Sequence, residues 1–500
     1  MRYDCVVIGA GVGGLFSALN LAQNGKKVLV IEKQPVPGGC ATVFKRKGFV
    51  FESSLHCVDS LGKNGEMRKY LEETGISQKI DFIDLKNFAR VIYPEHDFVL
   101  DFSAPNFKEY LIKSFPLEKE NIQKFFLRIE KFYNQFDNFC YWPIPEFLKM
   151  LISPIFFSEI IKISSLTMMD LLKQYTRDEK LIAILSDLWR FIGLPVSMSS
   201  AFYFLLVFRG YCFAPTSYIR GGFGRLFDVM VHEMKDKGVE FQFNTSVVKI
   251  VTQKGRIKSV VTDKGEEIEA RSVISNASAW DTLTKFLDDD SFKQKYVQEL
   301  KDMENSISAF QVYLGLSVPA KNLGMNQAIF SINTTYDHDN NFQYCLTGDY
   351  EECPLELVDH AQIDPGLVPE GKGSLLVMTL DSYTNWEDLT EAEYLAKKEE
   401  VARILINRVE KYFPGLNKSI EVKEVATPLT VKRFTQAPKG AIYGFSPLVK
   451  QSGENRLSQK TRVKGLYLAG AWTWPGPGVH GCFISGLQAG DLVLDFLKVK

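Results

Sequence analysis

Three glycines, at positions 9, 11 and 14, and a carboxylate at position 32 are spaced for one kind of chemistry. They occur as Gly9-Ala10-Gly11-Val12-Gly13-Gly14 and Glu32. A GxGxxG run means little alone. Here residues 3 to 9 precede it as an apolar strand, and residues 13 to 24 follow as a helix ended by Gly25. Residues 27 to 32 then form a second strand closed by the acid. In that setting Gly9 permits a tight turn, Gly11 has no Cβ to hold a pyrophosphate off the backbone, and Gly14 lets helix and strand approach. The helix N-terminus offers unpaired N–H groups and a positive dipole end to phosphates. Glu32 is expected to accept hydrogen bonds from an adenosine ribose.

Two further segments could lie along such a dinucleotide. Pro37-Gly38-Gly39-Cys40-Ala41-Thr42 follows the second strand, and paired glycines let a chain run beside a ligand. Near the C-terminus, residues 468 to 481 read LAGAWTWPGPGVHG, between a strand (466 to 470) and a helix expected from Cys482 to Leu497. Glycine and proline this dense describe a loop wrapped closely on something. A helix starting near Gly481 could aim its positive end at a flavin ring and favour charge on its reduced form.

His56 and His480 fall in segments expected near that ring. A histidine can move protons in the working pH range, and both are candidate catalytic residues beside the simpler reading of hydrogen-bonding structural ones. His96, His232, His338 and His360 have charged or loop neighbours and are expected at the surface. The sequence shows no metal-ligand cluster, no Ser-His-Asp pattern and no paired carboxylates at helical spacing.

The elements that must position these residues span 500 positions, more than one hydrophobic core usually holds. Residues 104 to 210 are helical in pattern and rich in Phe, Ile, Leu and Lys. Residues 225 to 274 return to helix and strands, residues 305 to 420 alternate strands with a charged helix, and residue 466 opens the last strand. A net charge of −1 gives no reason to expect nucleic acid as a partner. Eight cysteines without a Cys-x-x-Cys pair suit a reducing, cytoplasmic setting. The apolar run after Cys5 is broken at once by glycines, so no signal peptide is expected. Phe191 to Phe208 carries no charge, but Gly193 and Pro195 interrupt it, so a buried or interfacial helix from Met198 is expected rather than a membrane span. Glu146 to Met169 is apolar enough to lie on a membrane surface if exposed, or to be an ordinary inward-packed helix; the sequence leaves both readings open.

Three segments in order, VVIGAGVGGL, IEK..VPGGCATVF...GFVFE and GLYLAGAWTWPGPGVHG, resemble the phytoene desaturase family of flavoproteins with its carotenoid isomerase and retinol saturase relatives. Residues 219 to 226 (IRGGFGRL) and 273 to 277 (VISNA) fit as well. The resemblance runs from residue 3 to about 490, loosely through the middle helices. It implies an α/β fold: an FAD-binding, glutathione-reductase-type Rossmann-like domain (1–103, 211–280, 421–500) interleaved with a mixed α+β, partly helical substrate domain (104–210, 281–420). It implies FAD held by Gly9, Gly11, Gly14, Glu32, Gly38, Gly39, Val248, Asn276, Gly470, Ala471, Gly478, Val479 and His480. It also implies an apolar polyene as substrate, to be desaturated, isomerised or saturated at a carbon–carbon bond. Departures exist: Cys40 stands where related amine oxidases carry arginine, Ala471 where many members carry an acid, and His480 where many desaturases have proline. His56, in ESSLH, resembles the saturase branch. A flavin amine oxidase and a flavin-free prenyl-binding protein of the GDP-dissociation-inhibitor type share the fold and stand as alternatives.

Overall fold

A computed structural model describes residues 2–142 and 155–498. Its first strand, Tyr3–Ile8, is buried nearly throughout, as a parallel strand covered on both faces requires. It lies between Val28–Ile31 and Glu267–Ser275, parallel to both, with Cys5 opposite Val28 on one side and Ser272 on the other. The sheet runs 247–253, 256–262, 267–275, 3–8, 28–31, 240–242. Glu267–Ser275 divides its pairing. Its first residues run antiparallel to Arg256–Thr262, and its last three run parallel to Leu466–Leu468. The sequence accounts for the division: Glu267, Glu269 and Arg271 face solvent in alternation, whereas Ser272 to Ser275 are all buried.

Helix Val12–Gln23 packs on the C-terminal helix Gly478–Lys498. A Cβ on Gly486 would stand 2.4 Å from the carbonyl oxygen of Gly13, so only glycine allows this approach. Asn20 then bridges the pair, its Nδ2 donating to Leu487 O at 3.1 Å and Asp491 Oδ1 at 2.9 Å. The C-terminal helix begins at Gly478 rather than at the expected Cys482. Pro477 sits just before it, where a missing N–H costs nothing, and no proline follows. Val479, His480 and Gly481 therefore belong to its first turn.

A second sheet runs 420–426, 308–316, 373–381, 355–358, 329–332, 89–92, 97–100 and is antiparallel except where 329–332 meets 89–92. Ala89–Ile92 and Asp97–Leu100, expected with the nucleotide-binding segments, pair in this sheet, and so does Ile420–Ala426. Their short alternating patterns fit either sheet, and the partners that bring 89–92 and 420–426 into this one lie more than 100 residues away in sequence. The helices between residues 104 and 212 pack against this sheet in one core with Trp189, Phe204, Phe310 and Leu357.

The uncharged stretch 191–208 is mostly interior, although Ser197 and Met198 are exposed and the helix starts after them rather than at Met198. Its helix is Ala201–Cys212, capped by Ser200, and Phe202, Phe204, Leu205 and Phe208 are buried. Among the described residues no helix is long and apolar enough to cross a membrane. Of the stretch 146–169, the part before residue 155 lies outside the described residues. The rest divides its faces: Phe157, Ile163 and Met168 are buried, whereas Ile155 and Phe156 are 77% and 52% exposed.

Candidate active site

The turn at Gly9 has φ of 92°, a conformation that suits glycine. A Cβ on Gly14 would lie 2.0 Å from the carbonyl oxygen of Gly9, so helix and strand meet only because it is absent. Gly11 caps the helix without a side-chain hydrogen bond, and no acid occupies the first turn, which leaves the N–H groups open to an anion. Glu32 is held behind this turn: Oε2 accepts from Ala10 N at 2.6 Å and Oε1 from Gln34 N at 2.8 Å. Burial pushes its carboxyl above the ordinary range, and those two N–H groups pull it back. Gly38 N donates to Ala10 O at 2.8 Å, which seats the paired glycines against the first turn. Asn276 N donates to Ile8 O at 2.8 Å, and its side chain stands between the glycine turn and Gly470.

These elements wall one chamber of about 2040 Å³. Gly9, Gly11, Glu32, Gly38, Gly39, Val248, Asn276, Ala471, Gly478, Val479, His480 and His56 all line it. Gly14 and Gly470 stand behind the wall: the first closes the helix on the strand, and the second donates its N–H to Ser485 Oγ at 3.0 Å. Val248 is 48% exposed, and the surface it exposes faces the chamber.

His480 lies between two carboxylates, Nδ1 at 3.4 Å from Asp59 and Nε2 at 3.0 Å from Glu66. Burial opposes its charge, yet Asp59 and Glu66 outweigh burial and raise its pKa to about 10. Asp59, half-buried like His480, is held below the usual carboxylate range by the His480 imidazolium. His480 is therefore a fixed positive charge at neutral pH, placed in the first turn of a helix whose N-terminus faces the chamber. His56 stands at another part of the wall, its Nδ1 3.0 Å from Glu356 Oε1.

The loop 471–477 is shaped by a residue that sequence reasoning missed. Arg456, buried, donates to Ala471 O at 2.5 Å, Thr473 O at 3.0 Å and Phe445 O at 3.1 Å. Burial lowers its pKa to about 10, which still leaves it charged at neutral pH. Glu52 was read only as the end of GFVFE. Its Oε1 accepts from Tyr218 OH at 2.6 Å and Phe223 N at 2.7 Å, which ties that segment to Gly221-Gly222-Phe223. Arg190 and Glu356 also line the chamber. A lone acid inside the apolar strand LELV was the one sequence signal for Glu356.

Two histidines expected at the surface are buried. His338 Nε2 lies 3.0 Å from Ala183 O and 3.2 Å from Tyr93 OH, and burial drops its pKa to about 4. His360 Nε2 donates to Leu55 O at 2.7 Å. Their charged sequence neighbours are helix caps, Asp337 and Asp359, rather than marks of exposure. His232, Glu233 and Asp236 bring ligand-type atoms within 4.8 Å of one another on an outer helix face. Glu233 is there engaged with Lys79.

A pyrophosphate-ready helix terminus, paired glycines along the wall and a second helix terminus facing the same chamber define an FAD-binding oxidoreductase fold. The residues fit the cofactor: Gly9, Gly11, Gly38 and Gly39 line the chamber without side chains, next to the Asn276 amide, and Glu32 lines the same wall. The chain belongs to the family of flavin-containing amine oxidoreductases, whose profile matches residues 12–494, and FAD is its cofactor. It is similar to prolycopene isomerase 1 of an Oncidium hybrid cultivar, 28% identical over all of this chain and 85% of that protein. It is also similar to the all-trans-retinol 13,14-reductase of Danio rerio (25%, covering 98% of this chain and 86% of that protein) and to the lycopene-forming phytoene desaturase of Pseudescherichia vulneris (25%, 99% of each). Among solved structures, an oxidoreductase from Methanosarcina mazei superposes with a TM-score of 0.65 at 18% identity, covering 98% of this chain and 100% of that one, which shows the shared fold.

Proposed function

We propose that this protein acts on carbon–carbon bonds of a long, apolar, conjugated substrate, a carotenoid-like or retinoid-like polyene. The observation that carries this reading is the chamber itself. Beyond the nucleotide-binding wall it continues between Phe136, Phe191, Leu206, Val207 and Ile442, a lining that suits an extended hydrocarbon better than a small polar amine. Full-length similarity to enzymes named for prolycopene, retinol and phytoene supports it. Bound FAD supplies hydride acceptance or donation at a carbon held against it.

The chain's own residues do the rest. The apolar wall holds the chain and excludes water. The first turn of Gly478–Lys498, with the His480 imidazolium in it, turns positive charge towards the chamber, which would favour a bound ring that gains electrons. Asp59 and Glu66 hold the proton on His480, which makes it an electrostatic group rather than a proton carrier near neutral pH. Desaturation or isomerisation is favoured over saturation, because the loop from Ala471 to Gly481 follows those branches.

Anaerobic incubation of the holoprotein with cis and trans carotenes and retinoids, before and after flavin reduction, separates the three. Desaturation proceeds from oxidised protein and reduces it, saturation consumes a supplied reductant, and isomerisation needs reduced protein and consumes none. No conversion of any polyene in either redox state overturns the reading.

A peripheral membrane contact is part of the proposal. Phe139 lines the chamber and packs its ring 5.2 Å from that of Phe157, and Trp142 lies 5.8 Å from exposed Phe156. The exposed apolar face thus adjoins the chamber wall, where a lipid-soluble substrate could pass from a bilayer.

A further inference from the structure

One helix of the substrate wall touches both parts of the charged site. Ala201–Cys212 presents Leu206 and Val207 to the chamber. Its Tyr203 hydroxyl, buried, donates to Pro477 O at 3.0 Å, the carbonyl immediately before the first residue of Gly478–Lys498. The Tyr203 ring fills the space over Gly476, where a Cβ would stand 2.7 Å from Cε2. About two turns further along the same helix face lies Gly210. A glycine inside a helix costs about 0.5–1 kcal/mol relative to alanine. Here it makes room for a carboxylate: a Cβ would stand 2.3 Å from Asp59 Oδ2 and 3.0 Å from Asp59 Cγ. Oδ2 is the oxygen that lies 3.4 Å from His480 Nδ1. Arg209, beside Gly210, donates to both oxygens of Asp137 at 2.6 and 2.8 Å, which ties this end of the helix to Lys119–Tyr141.

We propose that Tyr203 and Gly210 are positioning residues for flavin reduction: Tyr203 fixes the start of the C-terminal helix, and Gly210 leaves Asp59 its place against His480. Each acts through another group, Tyr203 through the Pro477 carbonyl and Gly210 through the Asp59 carboxylate. The helix that lines the substrate chamber thereby also holds the positive charge that favours reduced FAD. The other charged groups around the pair are Glu66, on the far nitrogen of His480, and Arg209, within the field of Glu66. Tyr203 and Tyr211 also feel Asp59, but burial pushes both hydroxyls up and keeps them neutral. The inference rests on the reading that the first turn of Gly478–Lys498 favours reduced FAD, and it holds whatever the substrate is.

The first test is the reduction potential of the FAD-loaded protein, measured against reference dyes. His480→Gln is the reference: the ratio of reduced to oxidised flavin at a fixed potential should fall about tenfold, or about 30 mV for a two-electron couple. Tyr203→Phe keeps the ring and loses the hydroxyl, and the ratio should fall at least about threefold. Phe202→Leu, on the same helix but packed on Phe132 and Phe136, should leave it unmoved. The second test reads His480 directly, from the imidazole nitrogen resonances of the holoprotein labelled at histidine. In the unmodified protein the ring stays charged to a pKa of about 10. In Gly210→Ala the new methyl drives Oδ2 from its place, and the midpoint should fall by about one pH unit or more. That test needs no flavin signal, so it decides even if Tyr203→Phe loses FAD. A Tyr203→Phe potential equal to that of the unmodified protein while His480→Gln shifts, or an equal shift in Phe202→Leu, overturns the role of Tyr203 and spares the charge reading. An unmoved His480 titration in Gly210→Ala overturns the role of Gly210. An unmoved potential in His480→Gln overturns the charge reading and the inference with it.

Discussion

His480 Nε2 lies 3.0 Å from Glu66 and joins the first turn of the C-terminal helix to the first turn of Glu66–Glu73. With Asp59 on its other nitrogen, the imidazole is protonated up to a pKa of about 10. A raised histidine stabilises the fold fully below its ordinary value near 6.5 and loses that stabilisation as pH climbs through 10. Thermal unfolding followed from pH 6 to 11 should show the unmodified protein losing stability more steeply than His480→Gln. Parallel curves would show that the three groups are not coupled.

Glu52 titrates with a related sign. Burial raises its carboxyl to about 8, so the fold favours the protonated form and is disfavoured as pH rises through that value. Glu52→Gln keeps an oxygen for Tyr218 and Phe223 and removes the ionisation. Its melting temperature should exceed that of the unmodified protein at pH 9 and match or fall below it at pH 5. An unchanged difference across that range would place the Glu52 titration outside the window.

Gly14→Ala should cost FAD binding and stability together, because the new methyl meets the Gly9 carbonyl at 2.0 Å. Gly11→Val should abolish FAD content, since a branched side chain occupies the pyrophosphate's place. Glu32→Ala should weaken FAD by about 1.5–3 kcal/mol, the worth of a hydrogen bond to a charged group. Normal FAD content in the Gly11 variant would move the pyrophosphate off this turn.

Arg456→Met leaves the carbonyls of Ala471, Thr473 and Phe445 without their donor. A cost of about 3 kcal/mol in denaturant unfolding is expected, with faster FAD release, from buried acceptors left unpaired. An unfolding midpoint within error of the unmodified protein would mean that water replaces the guanidinium.

Replacing Ile155 and Phe156 by serine should reduce flotation with liposomes, because both side chains are exposed beside the chamber wall. Flotation equal to that of the unmodified protein would assign those residues another role.

The glycine turn, Glu32 and the C-terminal loop were legible because strand, turn, helix and acid follow one another within a few dozen residues. The substrate wall was not. His56 was singled out in the sequence, but Arg190 and Glu356 come from a short helix and a strand that meet it only after the second sheet has formed. His338 and His360 misled for the opposite reason: Asp337 and Asp359 beside them suggested solvent, but both acids cap helices that bury the histidines. The strands at 89–100 and 420–426 carry no mark of the sheet they join, since register and partner are set by tertiary packing. Arg456 lies in a polar loop, and its value comes from backbone carbonyls, which leave no trace in side-chain pattern.

The central claim is tested most directly by anaerobic product analysis with purified FAD-loaded protein, offered polyenes and primary amines side by side. The account predicts a polyene product changed in double-bond number or geometry, with amines untouched. Oxidation of primary amines with release of hydrogen peroxide on admission of oxygen, and every polyene recovered intact, would contradict it.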